Sequence, residues 1–347
     1  MFEIKNNFSL KKLNTFGVES HAHWYVQIDN ETDLKELFAD AKWKNEDLLV
    51  LGGGSNTLFV NNFDGLVVRV HICGINHQID GDVIYVTAGA GEVWNDVVNY
   101  CVDHHFAGLE NLSLIPGSVG ASPIQNIGAY GVELMDVFHS CKAFEIETGQ
   151  IKIFSKAACS FSYRDSIFKG KLKNKYIITE VTYQLSTKFK PNISYGAIEQ
   201  ELKARGIEKP TIKDVSQVVS HIRVSKLPDP STIGNAGSFF KNPMIKQKQF
   251  DHLQASFPDI VHYPAGENQV KIAAGWLIEQ CGWKGKVVRN TGTWKNQALV
   301  LVNHGNATGD EIFNFSSQII ESVQNRFGIL LDREVNIIRG NTKSVKI

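Results

Sequence analysis

The chain lacks an excess of either charge: 36 Lys and Arg balance 36 Asp and Glu over 347 residues. That balance argues against nucleic acid or an anionic membrane as the main partner. An anionic small ligand must then be met by local cations. Cysteine is scarce and unpatterned. Cys73, Cys101, Cys141, Cys159 and Cys281 are odd in number and show no C-x-x-C spacing, poor material for a disulfide framework or a zinc site. The histidines are scattered, and none pairs in an H-x-x-x-H spacing with a nearby carboxylate, so no metal site is expected. No apolar run is long enough to span a bilayer, and the opening MFEIKNNFSLKK has no signal-peptide core. A cytoplasmic, soluble protein is the expectation. Internal repeats and low-complexity tracts are missing as well.

Hydrophobic residues make up 43% and charged residues 21%, enough to build a sizeable core in two or three domains. One tract stands apart. Ile115 to Gly131 reads IPGSVGASPIQNIGAYG, dense in glycine and small residues and without a single charge. A solvent loop normally carries charge, and a helix or strand does not tolerate so many glycines. A backbone that lies directly against a planar or anionic ligand accounts for both facts. Leu51 to Asn56, LGGGSN, repeats the logic: an apolar run ends in three glycines and two small polar residues, which suits a phosphate nest. Two such loops point to a large phosphorylated cofactor.

Around these loops the early chain alternates helix and strand. Leu34, Leu37, Phe38 and Ala41 recur at helical spacing, while Leu48–Leu51 and Leu66–Val70 read as buried strands. Gly81-Asp82 predicts a turn before a strand Val83–Ala88, followed by a helix carrying Val93, Trp94, Val97, Val98 and Cys101. Lys142–Glu147 and Ile151–Phe154 flank Thr148-Gly149-Gln150, a hairpin signal. Tyr176–Leu185 alternates as a long strand. Thr211 to Asp214 resembles a capping box opening a helix through Val215, Val218, Val219 and Ile222. Lys226-Leu-Pro-Asp-Pro230 ends that helix, since proline cannot continue it, and a domain boundary is placed near there. Further on, the pattern predicts a helix over Val270–Cys281 closed by Gly282, a strand Ala298–Asn303, and a capped amphipathic helix from Thr308 to Phe327 ended by Gly328.

Four polar positions carry the chemistry, each with an ordinary reading beside it. Arg164, in Tyr163-Arg164-Asp165-Ser166, is either half of a surface ion pair or a functional cation. Ser238, between Gly237 and two phenylalanines, is either a plain turn serine or a hydroxyl exposed in an apolar wall; it lacks the G-x-S-x-G setting of an esterase. Glu334 reads as an edge-strand carboxylate, and Tyr195 as a core tyrosine.

In order along the chain, Asn14-Thr-Phe-Gly17, Leu51 to Asn56, Ile115 to Glu133, Ser162 to Ser166, Lys226 to Pro230, Gly234 to Pro243 and Glu334-Val335 resemble the UDP-N-acetylenolpyruvoylglucosamine reductases, flavin enzymes of peptidoglycan precursor synthesis. The resemblance covers nearly the whole chain, and the segment around Tyr195 is similar to the branch that keeps a tyrosine-bearing loop over the substrate. It implies an α+β protein with a vanillyl-alcohol-oxidase-type, two-lobe FAD-binding domain and a C-terminal α+β substrate-binding domain. Lobe 1 would span 1–70, with the tail 333–347 returning to it; lobe 2 would span 71–218 and the substrate-binding domain 219–332.

The implied cofactor is FAD, with NADPH as reductant and UDP-N-acetylglucosamine enolpyruvate as substrate, handled by a monomer. FAD would rest on Gly52, Gly53, Gly54, Ser55 and Asn56, and on Pro116, Gly117, Ser118, Gly120, Ala121, Gln125, Asn126, Gly128, Ala129 and Tyr130. Arg164 would neutralise the substrate carboxylate as charge develops, Glu334 would hydrogen-bond it, and Ser238 would protonate the neighbouring carbon. Tyr195, Lys226 and Asn242 would hold the diphosphate and sugar; Tyr263, Lys271, Lys284 and Gln297 would line the nucleotide end. Arg333 departs from the pattern, standing where members of the family often carry proline. Two other readings compete: another FAD-dependent oxidase or dehydrogenase of the superfamily, or a non-catalytic flavin or nucleotide-sugar binding module.

Overall fold

Alternating apolar residues between positions 4 and 186 become two sheets in the first of two compact units. The computed structural model describes residues 2–340. Among them, one unit comprises 2–8, 22–54 and 64–224, and the other 9–21, 55–63 and 225–340. In the first unit a four-stranded sheet runs in the order Ile4–Ser9, His21–Ile28, Phe63–Val70, Leu48–Leu51, the last two being parallel. A five-stranded antiparallel sheet follows in the order Ile151–Ser155, Phe138–Glu145, Tyr176–Ser186, Val83–Gly89, Ile75–Asp80. Their apolar faces share one core with the helices Glu31–Ala39 and Trp94–Asp103, through Leu34, Leu37, Phe38, Trp94, Val97, Val98 and Tyr183. Each such side chain, once buried, contributes about 1.5–3 kcal/mol.

The strands Leu48–Leu51, Phe63–Val70 and Tyr176–Ser186 and the 148–150 hairpin agree with the sequence expectations. Val93 does not: it precedes the helix as its N-cap and is 52% exposed, because the apolar face starts at Trp94. The predicted capping box is present. Thr211 N–H donates to Asp214 and Asp214 N–H donates back to Thr211, and the helix Ile212–Lys226 runs up to the Leu-Pro-Asp-Pro stop. With Gly196–Ala204 it forms a second small core of Ile198, Leu202, Val215, Val218, Val219 and Ile222, on which Tyr130 packs.

In the second unit an antiparallel sheet runs Gly234–Ser238, Gln297–Asn303, Thr291–Trp294, Val287–Val288. A three-stranded sheet runs Met244–Lys246, Gln269–Ile272, His262–Pro264. The expected helix over Val270–Cys281 is therefore half wrong. Val270 and Ile272 alternate into that small sheet, and the helix proper is Ala274–Gln280. The helix Gly309–Phe327 has both halves of its Thr308–Glu311 capping box and ends at Gly328 in the left-handed region. Thr57–Phe59 pairs in parallel with Asn336–Ile338, joining stretches from opposite ends of the chain.

Candidate active site

The glycine-rich tract of the first unit is held by its backbone. Val119 N–H donates to Glu92 O, Gly120 N–H to Ala90 O, and Trp94 N–H to Gly117 O, which seats the tract on the end of the strand Val83–Gly89. Ser122 Oγ donates to Val119 O and meets the Tyr183 hydroxyl at 3.3 Å. The loop after Leu51 comes in against it with no room for side chains: a Cβ on Gly53 would lie 3.1 Å from Gly117 Cα, and one on Gly52 only 2.2 Å from Ser118 Oγ. The two small-residue loops noticed in the sequence are thus neighbours, and neither Gly52 nor Gly53 has room there for a side chain.

Asn126 anchors the far end. It is fully buried in a left-handed conformation (φ 46°). Its Nδ2 donates to Glu133 Oε2 at 2.9 Å and to Ser162 O at 3.1 Å, and its Oδ1 accepts from Met135 N–H. That amide serves the protein itself, so any ligand contact at this position falls to the backbone. Arg164 follows, in the turn closed by the Ser162–Asp165 bridge. Its Nη2 donates to Gly128 O at 2.6 Å and its Nη1 to Asn126 O at 3.4 Å. A Cβ on Gly128 would sit 2.9 Å from Nη1, so the guanidinium needs glycine there.

Tyr195 is 38% exposed and not core, as its ordinary reading had it. Its ring meets Tyr130 edge-on, with centroids 5.3 Å apart. Two residues that the sequence did not single out organise this corner. Asn111, 1% exposed, donates its amide hydrogens to Tyr130 O and Asn192 O, tying the tyrosine loop to the glycine tract, while its Oδ1 has no partner. Arg223, half-buried, donates to Leu114 O. Burial lowers its pKa, with Tyr130 opposing and the like charge of Arg164 adding to the shift. Burial in turn raises the Tyr130 phenol. Two arginines beside an uncharged tract supply the local positive charge that the neutral chain lacks overall.

The second unit brings the backbone just after Ser238 against Glu334. Ser238 pairs with Val300 and lies at a register shift that ends the strand Gly234–Ser238, a strand terminus and not the free turn expected. The next residue, Phe239, accepts from Glu334 N–H at 2.8 Å, and Phe240 bridges Arg333 in antiparallel fashion. Asn56 Nδ2 donates to Glu334 O at 3.3 Å, and Asn336 N–H donates to Asn56 O. Of the expected substrate contacts, Tyr263 and Lys271 are directly opposed across strands, with Lys271 Nζ 5.8 Å from the Tyr263 ring. Asn242 Oδ1 caps the helix Ala274–Gln280 by accepting from Ala274 N–H. Gln297 Oε1 accepts from Leu299 N–H at 3.3 Å, and an added Cβ on Gly275 would reach it at 3.0 Å. Lys226 is exposed at its helix end. Lys284 is held by Glu279 at 2.9 and 3.0 Å, which turns its charge toward a carboxylate of its own unit.

Comparison with known proteins fits both units. Residues 22–155 match the FAD binding domain family, and residues 229–338 match the family of UDP-N-acetylenolpyruvoylglucosamine reductase, C-terminal domain. The UDP-N-acetylenolpyruvoylglucosamine reductase of Flavobacterium johnsoniae is 48% identical over 338 residues, covering 97% of this chain and 100% of the relative. The chain belongs to the UDP-N-acetylenolpyruvoylglucosamine reductase family. The reductase of Pseudomonas aeruginosa is similarly close, 45% identical over 96% of this chain and 99% of its own. In fold, the chain resembles the crystal structure of the Thermus caldophilus UDP-N-acetylenolpyruvylglucosamine reductase, with a TM-score of 0.66 at 22% identity over 97% of this chain and 98% of that one. The chain is thus an FAD-dependent oxidoreductase of the reductase family. Among the described residues no helix is long and apolar enough to cross a membrane.

Proposed function

We propose that this reductase converts UDP-N-acetylglucosamine enolpyruvate to UDP-N-acetylmuramate with electrons from NADPH, as a cytoplasmic monomer, through Arg164, Ser238 and Glu334. The observation that supports the reading most directly is the backbone hydrogen bond in the second unit that sets Glu334 against the residue following Ser238. FAD, when bound, would supply the two-electron hydride carrier between NADPH and the vinyl CH₂ carbon of the substrate.

The protein's own part is to manage the charge that this transfer leaves. As the CH₂ carbon gains hydride, an electron pair builds on the neighbouring carbon and spreads into the carboxylate. Arg164 neutralises that carboxylate with a planar, two-donor contact, held ready by Gly128 O and Asn126 O. Glu334, in its protonated form, donates a hydrogen bond to the same group. Ser238 gives its hydroxyl proton to the carbon, completing the saturated side chain. A serine hydroxyl is a weak acid in water, so this step requires solvent exclusion and a nearby cation, with Lys226 and Arg164 the candidates. Gly52 to Asn56 and the tract Pro116 to Tyr130 carry FAD through backbone groups. Tyr195, Lys226 and Asn242 take the diphosphate and sugar, and Tyr263, Lys271, Lys284 and Gln297 the nucleotide end, Lys284 after release from Glu279.

Anaerobic stopped-flow on the purified protein tests this. NADPH should bleach the yellow flavin, and the enolpyruvyl nucleotide should restore the colour without oxygen. A protein that stays colourless when offered FAD, or a bleached protein that the nucleotide leaves bleached, would refute the reading.

A further inference from the structure

Arg333 makes contacts that its neighbour's role explains. Its Nε donates to Ser316 Oγ at 2.8 Å and its Nη2 to Ser317 Oγ at 2.7 Å, both on the helix Gly309–Phe327. The guanidinium lies 4.3 Å from the ring centroid of Phe313, one turn earlier on the same helix. Arg339 lies over that ring as well, at 4.2 Å. Like charges on one ring repel, and burial disfavours a cation here, so the arrangement persists only because the helix holds it. The helix is itself well anchored, with Ile312, Phe315, Ile319, Val323 and Phe327 buried and its capping box complete.

The backbone at Arg333 is equally defined. The bridge to Phe240 is closed by Glu334 N–H to Phe239 O and by Lys241 N–H to Asp332 O, leaving the N–H of Arg333 out of the pairing. Leu331 and Val335 on either side are buried. In an extended segment, successive side chains point to opposite faces, so fixing the plane of one residue fixes the direction of the next. We propose that Arg333 is a positioning residue for Glu334: its clamp on the Ser316, Ser317 and Phe313 side chains sets the direction in which the Glu334 carboxyl projects. The inference rests on the reading that Glu334 serves the reduction.

The clamp has a consequence that simple loss of stability does not share. Glu334 acts after NADPH has left, so a loosened carboxyl should slow one half-reaction alone. On the FAD-loaded full chain under anaerobic stopped-flow, Arg333→Ala should slow flavin reoxidation at saturating enolpyruvyl nucleotide by about tenfold, the scale of a modest misplacement of a reacting group. Flavin reduction by NADPH should stay within about twofold, and the half-saturating nucleotide concentration should move less than the limiting rate. The Ser316→Ala, Ser317→Ala double variant keeps Arg333 and removes its two acceptors, and should show the same asymmetry. Arg333→Pro should recover much of the lost rate, because proline's locked φ keeps the segment extended and the missing N–H is not used in the bridge.

Equal slowing of both half-reactions, or unchanged reoxidation in the serine double variant, would overturn the proposal. Should Arg333→Ala fail to fold, the serine variant decides. Glu334→Gln separates this inference from the one beneath it. If that change slows reoxidation while Arg333→Ala and the serine variant leave it intact, the clamp is wrong and the role of Glu334 stands. If Glu334→Gln reoxidises at the unaltered rate, both fall.

Discussion

The glycine tract and the segments carrying Ser238 and Glu334 reach precision by opposite means. In the first unit, position follows from atoms that are missing: Gly52 and Gly53 carry no side chain to hold them off Ser118 and Gly117, and Gly128 has no Cβ to meet Val132 O and the Arg164 guanidinium. In the second, position follows from atoms that are present: the backbone at Glu334 is tied to Phe239 and to Asn56, and the Arg333 guanidinium to Ser316, by hydrogen bonds between separate stretches of the chain. The first arrangement fails when something is added, the second when something is removed.

Ser238→Ala is the severest test of that contrast. Removing one oxygen should slow flavin reoxidation by the enolpyruvyl nucleotide by about 10²–10⁴-fold, the usual contribution of a positioned acid, while reduction by NADPH stays near its original rate. Equal slowing of the two half-reactions would remove Ser238 from the acid role. Gly53→Val adds atoms 3.1 Å from the Gly117 backbone and should cost about 1–3 kcal/mol, read as roughly tenfold to hundredfold weaker FAD retention in a flavin titration. Retention at the original level would show that the loops meet with slack.

Asn126→Ala checks a buried side chain on which the glycine tract does depend. Its loss leaves Met135 N–H without its acceptor and takes one of two donors from Ser162 O, and should lower unfolding stability by about 1–3 kcal/mol in a urea titration; a change below roughly half a kcal/mol would mean the tract holds itself. A surface feature supplies the baseline. Glu145 accepts from Lys152, Thr148 and Tyr176, which hold its carboxyl down at about 2 against an ordinary 4.5. Its folded value is depressed, so its stabilisation is complete above pH 4.5 and is lost as pH falls toward 2. Melting temperatures at pH 6 and pH 3 should differ slightly less in Glu145→Gln than in the unaltered chain; identical differences would make the pair inert.

What could be read from residues alone follows the same divide. Capping boxes at Thr211 and Thr308, the 148–150 hairpin and the two glycine loops are local patterns, and local patterns survive folding. The same holds for the order of family motifs that identified the reductase. The strand at Gln269–Ile272 was hidden because Val270 and Ile272 run straight into a genuine helix, and only the partners at 244–246 and 262–264 distinguish the two. Asn111 and Arg223 carry no motif; they matter through the carbonyls they reach. Arg333 was visible as a departure from its family, but the serines that give it meaning lie on another element.

The parallel pairing of Thr57–Phe59 with Asn336–Ile338 bears on how the molecule is made. Asn56 accepts from Asn336 across 280 residues of chain, and Asn303 reaches back to Phe16 O. During synthesis the early segment must stay unpaired until almost the last residues emerge, a long-range closure that is slow and exposes an unmatched strand edge to other nascent chains. A fragment started at residue 225 would lack that strand for good, so trimming this enzyme to its C-terminal third should yield an aggregating product and not a smaller working domain.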